Sequence, residues 1–150
     1  MRDPLQPVTE LYARREQEAL QRLGEARQRE RKAEEDLARI RELGLDYRRE
    51  LGDRGRDGIT AASLKHWRGF IVQLDQGAGR QQEAVQRVRQ QASRVEGAWM
   101  RARLDAAAMA KVQVRRQHTG ELRRMRAEQR QQDEMAARVP SSSNASQRED

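Results

Sequence analysis

Apolar residues recur at alternating steps of three and four along most of the second half of the chain. From Leu64 to Met109, thirteen of the fourteen positions in this series are apolar, and Gln81 is the exception. A seven-residue repeat sustained over this length is typical of a helix that packs along one stripe in a coiled coil. The larger side chains of this predicted seam are Leu64, Trp67, Ile71, Val85, Val88, Val95 and Trp99.

The first half of the chain carries a shorter series with the same spacing. It runs from Ala19 to Leu51, and eight of its ten positions are non-polar apart from a tyrosine hydroxyl, with Glu30 and Gly44 as faults. Before Ala19 the apolar residues follow a different phase, which predicts a local slip of register, a stutter. The larger seam residues are Leu23, Leu37, Ile40 and Tyr47, and the residues in the slipped phase are Leu5, Val8 and Tyr12.

The stretch LGDRGRDG, residues 51–58, is the one clear break between the two series. Its three glycines and two aspartates predict a helix end followed by a turn. Two seams joined by a short turn fold back on each other, so the sequence predicts an all-α fold, a long antiparallel two-helix coiled coil. We predict one domain over residues 1–139, with a first helix at 8–51, a turn at 52–59 and a second helix at 60–137. The polar tail at 140–150 is predicted to be disordered.

The exact helix starts stay open at this level. The first helix begins either at Asp3-Pro4 or at Thr9, because each offers a side chain that can cap a helix N-terminus. The second helix begins at Thr60 or Ser63 for the same reason.

The composition agrees with long helices that bury a narrow stripe. The chain is 37% charged and only 3% aromatic, which is too little apolar bulk for a compact globular core. It has no cysteine, so neither a disulfide framework nor a thiolate metal site is possible. No apolar run approaches the ~20 residues of a membrane-spanning helix. The N-terminus has no signal-peptide stretch, so we expect a cytoplasmic protein.

Positive charge is concentrated in the second half of the chain. The net charge is +7, yet residues 1–51 hold 12 basic and 12 acidic side chains, whereas residues 60–110 and 111–139 each hold 8 basic and 4 acidic ones. A basic helix can meet nucleic acid, anionic lipid or an acidic protein surface. The interspersed acidic residues and the lack of interleaved aromatic residues argue against a dedicated nucleic-acid groove.

The second helix is predicted to outrun the first. A helix over 8–51 is about 65 Å long, so on folding back it covers the second helix only to about residue 105. Beyond Met109, Gln113 and Arg116 occupy seam positions, and a shifted phase through Leu122 and Met125 is expected. The segment Lys111–Val139 is therefore predicted to fray, to bind a partner, or to pair with a second copy in a four-helix seam.

No catalytic or cofactor-binding arrangement is visible in the sequence. His66 and His118 are isolated from any paired carboxylate, and no Gly-rich phosphate loop is present. We therefore expect no enzyme activity, no metal and no cofactor. Gly77 and Gly79 within the second helix indicate a locally weakened helix, or alternatively a bend or a close approach of the two helices.

Phe70, the only phenylalanine, lies off the centre of the seam. It neighbours Trp67 and Leu74 by the three- and four-residue relations of a helix. It either widens the seam near the turn or leads a partly exposed apolar patch for a partner.

The order of several motifs resembles the FliJ family of flagellar export proteins. The motifs are Tyr47-Arg48-x-Glu50-Leu51, a Gly-rich turn, GIT at residues 58–60, and Trp67-x-x-Phe70-Ile71-x-x-Leu74-Asp75. A second block, Ala98-Trp99-Met100 followed by Arg101, Arg103 and Leu104, is similar as well. The resemblance spans about residues 8–138.

The resemblance implies a non-enzymatic, coiled-coil stalk of the flagellar type III export apparatus, needed for flagellum biogenesis and hence for motility and chemotaxis. The implied partners are the export ATPase FliI and its regulator FliH, the membrane-embedded export gate protein FlhA, and export chaperones, with membrane association only through the gate and no nucleic acid. The gate-binding patch falls on Phe70 and Leu74. The ATPase is expected at the free helix ends, at Tyr12, Arg115, Arg116, Arg123 and Arg124.

Two alternatives stay open. The stalk proteins of virulence secretion (the YscO type) share this architecture. A generic basic coiled-coil scaffold, associated with nucleic acid, is the rival class.

Overall fold

A computed structural model describes residues 3–139 of the chain, and this part contains two α-helices. Helix α1 is Gln6–Asp57 and helix α2 is Ala61–Arg138. No strand is present among the described residues. The predicted all-α class is confirmed. The tail predicted to be disordered, residues 140–150, lies outside the described part.

Asp3 determines where α1 begins. Its Oδ1 accepts a hydrogen bond from the Leu5 N–H at 3.0 Å, and its backbone carbonyl accepts one from the Gln6 N–H at 3.0 Å. Thr9 is already inside the helix, where its hydroxyl donates to the Leu5 carbonyl. Of the two predicted starts, the structure has the one at Asp3-Pro4.

The connection between the helices is short and well capped. Helix α1 continues through the first two glycines of the LGDRGRDG stretch and ends at Asp57, later than the predicted end at residue 51. Gly58 has φ of 96°, the left-handed conformation that ends many helices and that other residues adopt only with strain. The Thr60 hydroxyl accepts a hydrogen bond from the Ser63 N–H at 3.2 Å, so Thr60 is the N-cap of α2.

The described chain divides into two compact units, and each is described by itself. One unit is Ala13–Leu104, and the other holds the residues up to Tyr12 and those from Asp105 onward.

In the unit 13–104, α1 and α2 run antiparallel and pack along the predicted seam. Every predicted seam position of α1 from Ala19 to Leu51 is buried or half-buried, and so is every position of α2 from Leu64 to Ala102. The buried hydrophobic residues are few and mostly small, because two helices enclose only a narrow stripe. They are Ala19, Ala26, Leu37, Val85 and Ala92.

The faults in the seam are accommodated by polar contacts or by close packing. Glu30 lies between Arg27 at 3.2 Å and Arg89 at 3.9 Å, and the Gln81 side-chain amide donates to the Ala33 carbonyl at 3.0 Å. Gly44 is buried. The seven-residue repeat therefore continues through all three positions without interruption.

The predicted stutter before Ala19 is wrong. Leu5, Thr9, Tyr12 and Glu16 are half-buried there, whereas Val8 is 37% exposed. These positions continue the spacing of the seam, so the helix keeps its phase and places a threonine and a glutamate where the apolar pattern suggested a slip.

In the other unit, the C-terminal part of α2 is largely open. Every described residue from 121 to 139 is exposed. The less exposed positions between residues 105 and 120 are Ala106, Met109, Gln113 and Gly120, which keep the unshifted phase of the seam. Leu122 and Met125 are 41% and 61% exposed, so the shifted phase stays a prediction over this exposed segment.

The segment Lys111–Val139 is thus covered in part at its start and exposed after Gly120. The same unit contains the first turns of α1, where Leu5 and Tyr12 are half-buried.

Gly77 and Gly79 neither break α2 nor admit a neighbouring helix closely. A Cβ placed on Gly77 would meet only the Arg80 guanidinium at 3.9 Å, and one on Gly79 would meet nothing within 4 Å. The interpretation as a close approach is therefore wrong, and a locally weakened helix or a bend stays the prediction for these glycines.

Gly79→Ala should raise the free energy of unfolding by about 1 kcal/mol, because alanine loses less backbone entropy in a helix and meets no neighbour here. Thermal unfolding followed by circular dichroism measures this. Gly58→Ala is the matched control and should lower stability, because its φ is positive. Equal effects of the two substitutions would contradict this account.

Trp99 is half-buried, and its indole Nε1 is buried without a hydrogen-bond acceptor among the described residues. An unpaired buried donor costs about 1–3 kcal/mol. Trp99→Phe, which removes the donor and keeps a ring, should leave the melting temperature unchanged or raise it. Trp99→Ala should lower stability by about 2 kcal/mol, since it removes a half-buried ring. A large loss for Trp99→Phe would show that the N–H has a partner.

Candidate partner-binding surface

Three aromatic rings meet near the turn that joins the helices. Tyr47 of α1 packs against both Trp67 and Phe70 of α2, with ring-centroid distances of 5.5 Å and 4.6 Å and tilted planes. Such offset, tilted pairs are favoured by the aromatic quadrupole. The rings form one cluster, the aromatic cluster, which fastens the end of the seam.

Position in the heptad explains why these rings meet. Tyr47 and Trp67 are seam residues on facing helices, and Phe70 follows Trp67 by three residues, which places it on the flank of the seam. The guanidinium of Arg54, in the last turns of α1, lies 5.0 Å from the Trp67 ring centre and covers it from the side of the turn.

Phe70 is half-buried, so part of its ring packs and part stays accessible. One part of the ring contacts Tyr47. Another part borders an open depression of about 450 Å³ on the surface of α2. The other residues that line this depression are all exposed, and they are Ala62, Lys65, His66, Gly69 and Gln73.

A second, smaller depression of about 260 Å³ continues over the aromatic cluster itself. It is lined by Tyr47, His66, Trp67 and Phe70. Phe70 and His66 border both depressions, so an apolar ring with a basic rim is open to a partner at this end of the seam.

Leu74 occupies a different position from Phe70. It is a half-buried seam residue one turn further along α2. Beside it, the Arg48 guanidinium contacts the Asp75 carboxylate at 2.6 Å across the two helices. Leu74 is thus a packing residue of the seam, whereas Phe70 borders both depressions.

The four arginines predicted to meet the ATPase lie on the C-terminal part of α2. Arg115, Arg116, Arg123 and Arg124 are exposed, and none forms an ion pair with another described residue. Between residues 111 and 126 the sequence has six basic side chains and one acidic side chain, Glu121. Tyr12 is half-buried in the same compact unit.

The sequence did not predict the residues that surround Phe70 at the depression. Lys65, His66 and Gln73 line the depression beside Phe70 although none belongs to a motif. Their helical spacing from Phe70 would have identified them as neighbours. Arg54 was also missed, because its contact with Trp67 depends on α1 continuing past residue 51.

No site for a metal ion is evident in residues 3–139, where no group of three or more His, Asp or Glu side chains could hold one. His66 and His118 are both exposed. Within the same range, no helix is long and apolar enough to cross a membrane.

A family model described as the flagellar FliJ protein matches residues 1–145. The chain belongs to the FliJ family. Membership makes it a protein associated with flagellar type III export, in a family that is a non-catalytic component of the export apparatus. The matched family is the flagellar one, which favours this branch over the YscO type. No curated protein and no solved structure matches the chain.

Proposed function

We propose that this FliJ-family protein is the coiled-coil stalk that links the export ATPase ring to the export gate protein FlhA. The observation that carries the proposal is Phe70, an aromatic side chain that rests on Tyr47 and still borders an open depression. A packed but accessible ring is the kind of residue that dominates the energy of protein interfaces.

The surroundings of Phe70 define the chemistry of its partner. Lys65 and His66 border the depression, and no acidic side chain does. The surface of FlhA that meets it is expected to bring an apolar side chain to the ring and a carboxylate to the basic rim. Leu74 contributes by supporting the seam beneath the ring.

The ATPase contact is assigned to the exposed basic segment of α2. Unpaired arginines on a helix surface attract acidic surfaces over several ångströms, and salt weakens that attraction. Arg115, Arg116, Arg123 and Arg124 are therefore proposed to face acidic side chains of FliI, with Tyr12 nearby in the same compact unit.

For FliH and the export chaperones, the proposal rests on family membership alone. The protein is expected to work with FliH and to assist export chaperones. It is expected at the cytoplasmic face of the cell membrane, held there by the gate.

Phe70→Ala should weaken binding to the cytoplasmic part of FlhA by about tenfold or more, because it removes the exposed apolar anchor. Isothermal titration calorimetry measures the affinity. The half-buried ring also contacts Tyr47, so a stability loss of about 1–2 kcal/mol is expected while helicity is retained.

Val72→Ala is the matched control for this experiment. Val72 is 52% exposed, two residues away on the opposite flank of the same helix, so its loss should leave gate binding unchanged. Equal affinities for the wild type and Phe70→Ala, or equal losses for both variants, would rule out Phe70 as the anchor.

Arg123→Glu combined with Arg124→Glu should lower the affinity for the ATPase about tenfold at ~150 mM salt, with a smaller difference at ~500 mM. The control reverses Arg31 and Lys32 to Glu, since these exposed neighbours on α1 carry the same charge change. Loss in both variants would indicate a net-charge effect. Binding of the wild type to duplex DNA, with none to the ATPase, would favour the scaffold alternative instead.

A further inference from the structure

Four side-chain pairs join α1 and α2 at regular intervals of seven residues on each helix. When the seam residues are positions a and d of the heptad, all eight side chains are at position e, on one flank of the seam. We call this set the e-flank ladder. Its rungs are Arg27–Glu96 at 2.9 Å, Glu34–Arg89 at 2.6 Å, Arg41–Gln82 at 3.0 Å and Arg48–Asp75 at 2.6 Å.

Single rungs of this kind contribute little to stability. In the three ion pairs the side chains are 41% to 54% exposed, and water screens such pairs strongly. The ladder can therefore distinguish one register from another through the order of its charges, although each rung adds little stability. Along α1 the order is plus, minus, plus, plus, and along α2 the facing order is minus, plus, neutral, minus.

This order fits one register only. A shift of one heptad that brings Arg27 opposite Arg89 also brings Arg48 opposite Arg68, which leaves Arg41 with Asp75 as the one favourable rung. The opposite shift is worse, because it creates three like-charge rungs. They are Arg27 with Arg103, Glu34 with Glu96, and Arg41 with Arg89.

The seam and the connection by themselves constrain the register less. After a shift of one heptad, the seam of one helix still faces the seam of the other. Small residues such as Ala26 and Ala92 form much of the buried stripe, so the shape of the seam distinguishes the registers little. Gly52 and Gly55 make the end of α1 easy to unwind, so the connection tolerates a shift.

We propose that the e-flank ladder sets the register of the hairpin and excludes the two structures shifted by one heptad. In the seam, Glu30 reinforces it by contacting both Arg27 and Arg89. The ladder thus prevents α1 and α2 from sliding past each other. The proposal concerns folding alone and does not depend on the export role.

Two spin labels can report the register directly. Gln28→Cys and Gln76→Cys place them on exposed, uncharged positions outside the ladder, and the chain has no other cysteine. At ~1.5 Å per residue, the shift that brings Arg27 opposite Arg89 shortens their separation by about 10 Å, and the opposite shift lengthens it by about as much. Pulsed electron paramagnetic resonance should find one distance in the labelled, otherwise native protein.

The deciding variant rewrites the charge order on α2. With Arg68→Glu, Gln82→Arg and Arg89→Glu, two observed rungs become like-charged, and all four rungs become favourable in the shifted register that faces Arg27 with residue 89. A second population, shorter by about 10 Å, is expected. Gln82→Arg alone is the milder variant, expected to give a smaller second population if the triple variant fails to fold.

The matched control places the same charge changes on exposed positions of α2 away from the ladder, as Arg80→Glu, Arg87→Glu and Gln90→Arg. It should keep the single native distance. The proposal is overturned if the ladder variants retain only the native distance, or if the control gains the same shorter population.

Discussion

The structure depends on the burial of one narrow apolar stripe by two antiparallel helices. Hydrophobic burial is roughly proportional to the area removed from water, and a two-helix seam removes little of it per residue. Val85 is the largest fully buried side chain, and several other core residues are alanines. With so small a core, contacts at the ends and flanks of the seam decide how well the hairpin is defined.

The two flanks of this seam differ in chemistry. One flank carries the e-flank ladder, in which charged side chains bridge the helices above the apolar stripe. Phe70 lies on the opposite flank, where its ring meets Tyr47 and borders exposed residues. The accessible part of the Phe70 ring is therefore on the flank that the ladder does not occupy.

The aromatic cluster shows how one ring can take part in packing and still stay accessible. Tyr47 holds both Trp67 and Phe70, so the exposed part of the Phe70 ring is presented by a fixed support rather than by a mobile side chain. A pre-positioned anchor loses less conformational entropy on binding than a free one. The basic segment of α2 offers a different kind of surface, since Arg115, Arg116, Arg123 and Arg124 are exposed and form no ion pair with another described residue.

The sequence by itself determined the class, the two helices and the seam, because a seven-residue repeat has one structural reading over this length. Even Glu30, Gln81 and Gly44 proved to be seam positions where the spacing placed them. The prediction from the sequence placed the end of α1 too early, since Gly52 and Gly55 weaken a helix without ending it. The predicted stutter was wrong as well, because Thr9 and not Val8 occupies the seam position. The sequence also identified Phe70 as a residue off the centre of the seam.

Only the tertiary structure showed that Tyr47 supports the ring, that Lys65 and His66 border it, and that the four e-position rungs align. Those facts depend on which residues of one helix face which residues of the other, and a repeat of seven is identical in every register.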